Sequence, residues 1–125
     1  MKTPRFPPNV VAAIHTGKIL GTKAGPQPHK VIGIWAVVVE GRVFVRSWSL
    51  KPRSWYRTFL VEPVGEMHVD GQALVVRAVR TRSERLKDEV SRAYLEKYNT
   101  KGSIKYAQDL GGETSRATTT ELVPL

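Results

Sequence analysis

Arg46, Ser47 and Trp48, followed at short intervals by Lys51, Arg53, Trp55 and Tyr56, put cations, a hydroxyl and large aromatic rings into one short stretch of this chain. Guanidinium forks bind phosphate or carboxylate bidentately, a hydroxyl adds a hydrogen bond, and indole and phenol rings offer faces to a planar group. The chemistry that such a set suits is the holding of a flat, anionic ligand. Lys30, in a basic loop upstream with Lys23 and His29, can join the anion-binding set. The same residues allow a blander arrangement, in which Arg46 pairs with a local carboxylate and Trp55 and Tyr56 are core aromatics. In either case Arg46 needs partners, because an unpaired buried charge is prohibitively costly.

The elements that must position these groups are strands. Ile34 to Val39 is an apolar, β-branched run too short for a typical helix, and it predicts a strand buried on both faces. Glu40-Gly41 supplies a turn, and Val43 to Trp48 returns as the second arm of a hairpin. Alternation sets Val43, Val45 and Ser47 on one face and Phe44, Arg46 and Trp48 on the other. Ser54 caps a two-turn helix, Trp55 to Val61, which Glu62-Pro63 ends. Glu66–Val69 and Ala73–Thr81 form a second hairpin about Asp70-Gly71.

Outside these elements, a short helix is expected from Asn9 to about His15 and a first strand over Lys18–Thr22. Thr81-Arg82-Ser83-Glu84 has capping-box spacing and opens a long helix to about Tyr98, with Leu86, Val90, Ala93, Tyr94 and Tyr98 as its apolar stripe. Asp88, Arg92 and Glu96 are spaced for ion pairs along the solvated face of that helix. One helical turn is expected around Tyr106, and the threonine-rich Arg116–Val123 reads as a final strand. About six sequential antiparallel strands make a barrel or a sandwich.

At 125 residues the chain is long enough for one domain over 1–125, with a loose proline-rich arm at 1–8. Lys plus Arg exceed Asp plus Glu by 20 to 11, a net charge of +9, which favours anionic partners. There is no cysteine, which excludes disulfides and thiolate metal sites and fits a cytoplasmic chain. No run is long enough to span a membrane, and the N-terminus lacks the apolar core of a secretory signal. His15, His29 and His68 lack metal-ligand spacing, so no metal is expected. There is no nucleophile elbow, Walker loop or dinucleotide fingerprint, which argues against a hydrolase more than against an oxidoreductase. The basic residues are spread along the chain without a recognised motif, so nucleic-acid binding ranks last among the functional classes.

Ile34-Trp35, Val45 to Trp48, Trp55 to Arg57, Ala93 to Tyr98 and Arg116 to Pro124 together resemble the bacterial domain-of-unknown-function family 2255 over residues 30 to 124. That family looks like a branch of the FMN-binding split-barrel superfamily, near the deazaflavin-dependent nitroreductases. The resemblance implies a six-stranded antiparallel split β-barrel, with a short helix after strand three and a long helix before the last strand. It also implies a homodimer with a flavin groove between subunits. The expected function is binding of FMN or a deazaflavin by Arg46, Ser47, Trp48, Lys51, Arg53, Trp55, Tyr56 and Lys30, in an oxidoreductase with no catalytic side chain of its own. The alternative is a non-catalytic protein binding another anionic small molecule. The chain departs from the deazaflavin enzymes after strand three, where Ser49-Leu50-Lys51-Pro52 stands in place of a glycine pair.

Overall fold

The computed structural model describes residues 5–25, 31–48 and 54–125. In chain order the elements are α1 (Pro8–Thr16), β1 (Leu20–Ala24), β2 (Ile32–Ile34), β3 (Ala36–Val39), β4 (Arg42–Val45), α2 (Trp55–Val61), β5 (Val64–Val69), β6 (Gln72–Arg80), α3 (Glu84–Lys97), α4 (Ile104–Leu110), α5 (Glu113–Arg116) and β7 (Thr120–Pro124). The strands form one antiparallel sheet in the order β2-β1-β5-β6-β7-β4-β3. Its two outermost strands, β2 and β3, are consecutive pieces of chain separated only by Trp35. The sheet is therefore rolled into a nearly closed barrel, with Trp35 at the seam. Among the described residues there are seven strands rather than the six expected, because the apolar run read as one strand breaks at Trp35.

Both hairpin turns form where the sequence places them. Glu40 and Gly41 have φ of 55° and 72°, and Asp70 and Gly71 have 52° and 73°. Positive φ at both central residues is the geometry that matches the twist of the flanking strands. Gly65 permits a close approach across the sheet: a Cβ there would sit 2.4 Å from the Lys23 carbonyl oxygen and 2.8 Å from the Phe59 ring.

Side-chain alternation divides the core in two. Ala36, Val43, Val45, Met67, Val76 and Leu122 are buried together with Phe6, Val10 and Ile14 from the N-terminal segment and Phe59 from α2. Val37, Val39 and Phe44 turn the other way, onto Leu86, Val90 and Tyr94 of α3 and Ala107 and Leu110 of α4. The central hairpin is thus covered on both sides, as its unbroken apolar character requires. Complete burial of each such aliphatic side chain stabilises by roughly 1.5–3 kcal/mol.

Several local expectations are corrected. The N-cap of α3 is Ser83, whose Oγ accepts from the Leu86 amide at 3.2 Å, so the cap lies two residues beyond Thr81. The N-terminal arm is anchored from Arg5 onward: Phe6 is buried, and the Arg5 guanidinium donates to the Glu40 carbonyl. The final strand begins at Thr120 rather than Arg116. Thr118 and Thr119 instead donate to the carbonyls of Ser115 and Arg116, each at 2.6 Å, closing a turn after α5. Short hydroxyl side chains compete with the sheet ladder in this way. The ion pairs expected along α3 are also re-partnered. Asp88 and Glu84 each lie 2.7 Å from Arg116 on α5, and Arg92 faces Glu89.

Candidate functional site

Arg46 follows directly from β4 on the face already occupied by Phe44, so its side chain runs into the helical layer. It is 2% exposed. Nε donates to Thr119 Oγ1 at 2.8 Å, one terminal nitrogen donates to Ser91 Oγ at 2.7 Å and to the Leu110 carbonyl at 2.8 Å, and the other donates to the Lys87 carbonyl at 2.7 Å. No carboxylate is among these partners. The guanidinium joins β4 to α3, to the C-terminal end of α4 and to the approach to β7. Leu110 closes α4, so its carbonyl is one of those a helix end leaves without an internal partner. Burial pulls the Arg46 pKa down to about 10, which leaves it charged at neutral pH.

Ser47 is also buried, and its amide donates to Thr118 Oγ1 at 2.8 Å. Arg46 and Ser47 thus hold the barrel to its helices, and the guanidinium is not turned to an outside anion. Trp55 is half-buried against the barrel core, edge-on to Tyr56 and Phe59 at 6.2 Å, and Tyr56 is buried. Both rings take part in packing, Tyr56 fully and Trp55 in part. Lys30, Lys51 and Arg53 lie outside the described residues.

Trp48 is different. It is 48% exposed, and it faces Trp35 and Tyr106 across an open depression of about 450 Å³, which among the described residues is also lined by Asp109. Trp48 extends the line of β4, Trp35 stands at the barrel seam, and Tyr106 and Asp109 come from α4. Arg46 fixes this arrangement by tying the end of β4 to Leu110, one residue beyond Asp109. Trp35 is held from behind, where its ring stacks on Tyr98 with centroids 3.9 Å apart and planes 2° from parallel. Its backbone is held too: Tyr94 Oη donates to the Trp35 carbonyl at 2.8 Å and accepts from the Arg46 amide at 3.1 Å. Sequence reasoning found Trp48 but missed Trp35, Tyr106 and Asp109 as its neighbours. The available signal was an aromatic in the short helix around Tyr106, whose position against the hairpin only the tertiary fold reveals.

A second cavity, of about 380 Å³, is lined by His15, Val37, Val38, Ala93, Glu96 and Lys97. Lys97 Nζ donates to the carbonyls of Ile14 and Ala36 at 2.8 and 2.6 Å, while burial pulls its pKa down to about 8. In the unfolded chain the same amine titrates at an ordinary lysine pKa, about 10.4. Between these two values the unfolded chain holds the proton and the folded chain does not, so the Lys97 contribution to stability rises as pH climbs from about 8. A titration followed by NMR of the ¹⁵N-labelled side chain should place its midpoint near 8. A midpoint at an ordinary lysine value would show that the two carbonyls outweigh burial.

Among the described residues no cluster of histidine, aspartate and glutamate is arranged to hold a metal ion, and no helix is long and apolar enough to cross a membrane. The fold and the site together define a small, mainly antiparallel β protein, barrel-like, with an aromatic depression where its seam meets a helical layer. The chain belongs to the family described as "Uncharacterized protein conserved in bacteria (DUF2255)", whose model matches residues 11–122. No curated protein matches it. Among solved structures it is similar to the conserved hypothetical protein Rv2991 of Mycobacterium tuberculosis. The two share 12% identity and a TM-score of 0.59 over 98% of this chain and 81% of that one, a likeness of fold alone.

Proposed function

We propose that this protein is a split-barrel binder of a small organic molecule, with the Trp35–Trp48–Tyr106 depression as its binding site. The observation that carries this reading is the open depression itself, where Trp48 and Tyr106 leave about half of their large apolar surface exposed on a scaffold fixed from behind. Binding sites are typically concave, rich in aromatic side chains and provided with a few polar groups. The resemblance to split-barrel flavoproteins makes FMN or a deazaflavin the first ligand to test, in a cytoplasmic oxidoreductase whose cofactor would supply the hydride chemistry. A flavin ring would stack on the exposed face of Trp48. Its phosphate would have to be met by Lys51 and Arg53, farther along the chain, since Arg46 and Ser47 are engaged by the protein. A second reading keeps the site and drops the redox chemistry. Asp109 favours it, because a carboxylate on the rim opposes an anionic ligand there.

The test is a thermal-shift and tryptophan-fluorescence titration with FMN, FAD, a deazaflavin and haem, repeated on Trp48→Ala. A ligand present at about 100 times its Kd stabilises the folded state by about 2.7 kcal/mol. A melting shift of several degrees is therefore expected in the parent and not in the variant. A ligand that binds both proteins equally overturns the location of the site. Absence of any shift or quenching with all four removes the flavin reading.

The assembly proposed with this function is a homodimer. Val64, Val75 and Val79 leave apolar surface exposed on the outer face of β5 and β6, and burying such surface favours association. Sedimentation at micromolar concentration should give twice the chain mass, and a single-chain mass would exclude an intersubunit site.

A further inference from the structure

Resting on the reading that the aromatic depression is the binding site, we propose that it receives an alkylated ammonium group, the cationic head of a quaternary or methylated amine. The rings of Trp35, Trp48 and Tyr106 are mutually steep: 69° between the two indoles, 88° between Trp35 and Tyr106, and 84° between Trp48 and Tyr106. Their centroids are 5.4, 6.4 and 6.4 Å apart in the same order. Three perpendicular planes that face one point from an equal distance have centroids separated by that distance times the square root of two. With all three faces turned into the depression that the rings line, a common point would lie about 4–5 Å from each ring, inside the roughly 6 Å reach of a cation over an aromatic face.

The shape selects among ligands. A flat ring can stack on one wall of such a corner, and the other two walls then meet its edges. A compact tetrahedral head presents an alkylated surface to all three walls at once. Alkylation also suits the chemistry, because aromatic faces attract the charge without offering hydrogen-bond acceptors. A primary ammonium gives up strong hydration to enter such a site, whereas a quaternary one has no N–H groups to satisfy. The corner is held in shape before any ligand arrives: Tyr98 covers the back of Trp35, and Arg46 ties the neighbouring end of α4 to the end of β4.

Charge supports the assignment locally. Among the described residues the Asp109 side chain has no hydrogen-bond or ion-pair partner, and it is the carboxylate that lines the depression. The net charge of +9 opposes a cation at long range. At physiological ionic strength that opposition is screened beyond about 8 Å, so that among the described lining residues Asp109 and the ring faces decide at contact.

The test titrates the full chain with choline chloride and, separately, with 3,3-dimethylbutan-1-ol, the neutral isostere in which carbon replaces the ammonium nitrogen. Indole NMR shifts and tryptophan fluorescence report binding. Choline should saturate and perturb the Trp35 and Trp48 resonances, with the neutral isostere weaker by roughly tenfold or more. Trp48→Ala should abolish the response, and Asp109→Asn should weaken it several-fold. Asp109→Asn should melt near the parent, since that carboxylate is exposed, and Trp48→Ala, which loses a half-buried ring, should melt lower but stay folded at the temperature of the titration. Equal binding of choline and its isostere would overturn the proposal, as would no saturation with choline at tens of millimolar. If FMN or another ring binds in a Trp48-dependent way while choline does not, the site stands and its assignment to a cation falls. If Trp48→Ala alters no binding at all, both fall together.

Discussion

Arg46→Met is expected to lower the melting temperature of the ligand-free protein by roughly 10–20 °C, the equivalent of ~3–5 kcal/mol at about 3–6 °C per kcal/mol for a chain of this size. Methionine keeps part of the aliphatic bulk and removes every donor, so the Leu110 carbonyl, the Lys87 carbonyl and the hydroxyls of Ser91 and Thr119 each lose a charge-assisted bond. Each buried acceptor left unmatched costs about 1–3 kcal/mol. Some of this is recovered, because the guanidinium no longer has to be desolvated and because Lys87 and Thr119 keep other partners. Arg46→Lys should restore little. One ammonium cannot reach acceptors spread over two helices and the approach to β7, as a planar fork does. Calorimetry on the three proteins without ligand is the measurement. An Arg46→Met protein that melts within a few degrees of the parent would mean that the guanidinium does not latch the barrel to its helices, and would return it to the candidate anion-binding groups.

Tyr94→Phe should cost ~2–4 kcal/mol although it deletes a single oxygen atom, because two backbone groups lose their partner. The barrel seam explains why. Where the strand run breaks between β2 and β3, Trp35 falls outside the ladders, and its partly buried carbonyl needs another donor. Tyr94 Oη provides it and in turn accepts from the Arg46 amide just past the end of β4. Burial raises the Tyr94 pKa well above the usual phenol value, so the hydroxyl remains a donor throughout the ordinary pH range. Equilibrium unfolding in urea measures the loss, and hydrogen exchange at the Arg46 amide localises it. A stability change under about 0.5 kcal/mol, or an unaltered exchange rate at Arg46, would show that water substitutes freely for the hydroxyl.

What was legible from the residues followed from local rules. Glu40-Gly41 and Asp70-Gly71 name their own turns, Ser54 names its own cap, and alternation correctly puts Phe44 and Arg46 on one side of the hairpin. The partners of Arg46 were not legible for a physical reason. Two are main-chain carbonyls, which every residue possesses, and they lie 41 and 64 positions away along the chain. A search for a carboxylate partner was bound to miss them. The break at Trp35 was hidden because an apolar, β-branched run looks the same whether it pairs along its whole length or passes from one neighbour to another. Tyr106 could be placed on a helical turn but not against Trp48, and Asp109 was not singled out, since both contacts depend on where the Arg46 latch sets α4. The calcium- or zinc-like patterns that announce a metal centre have no counterpart for an aromatic corner, whose members are ordinary core residues until their ring planes are known.

The position of β7 has a consequence for the order of events during synthesis. This strand lies between β6 and β4, with Leu122 opposite both Ala78 and Val43. Every other pairing in the sheet, including the long-range one between β1 and β5, is complete once β6 has been made, but the wall cannot close until residues 120–124 have left the ribosome. Until then β6 and β4 carry two additional unpaired strand edges, the features through which partly made β proteins associate with one another. Arg42 on β4 and Arg77 and Arg80 on β6 put positive charge along those waiting edges. When β7 arrives, Glu121 meets Arg42 in a bidentate pair at 2.7 and 3.0 Å. On the β4 edge, the Arg42 charge that would discourage pairing with another chain is the one that Glu121 neutralises as β7 docks.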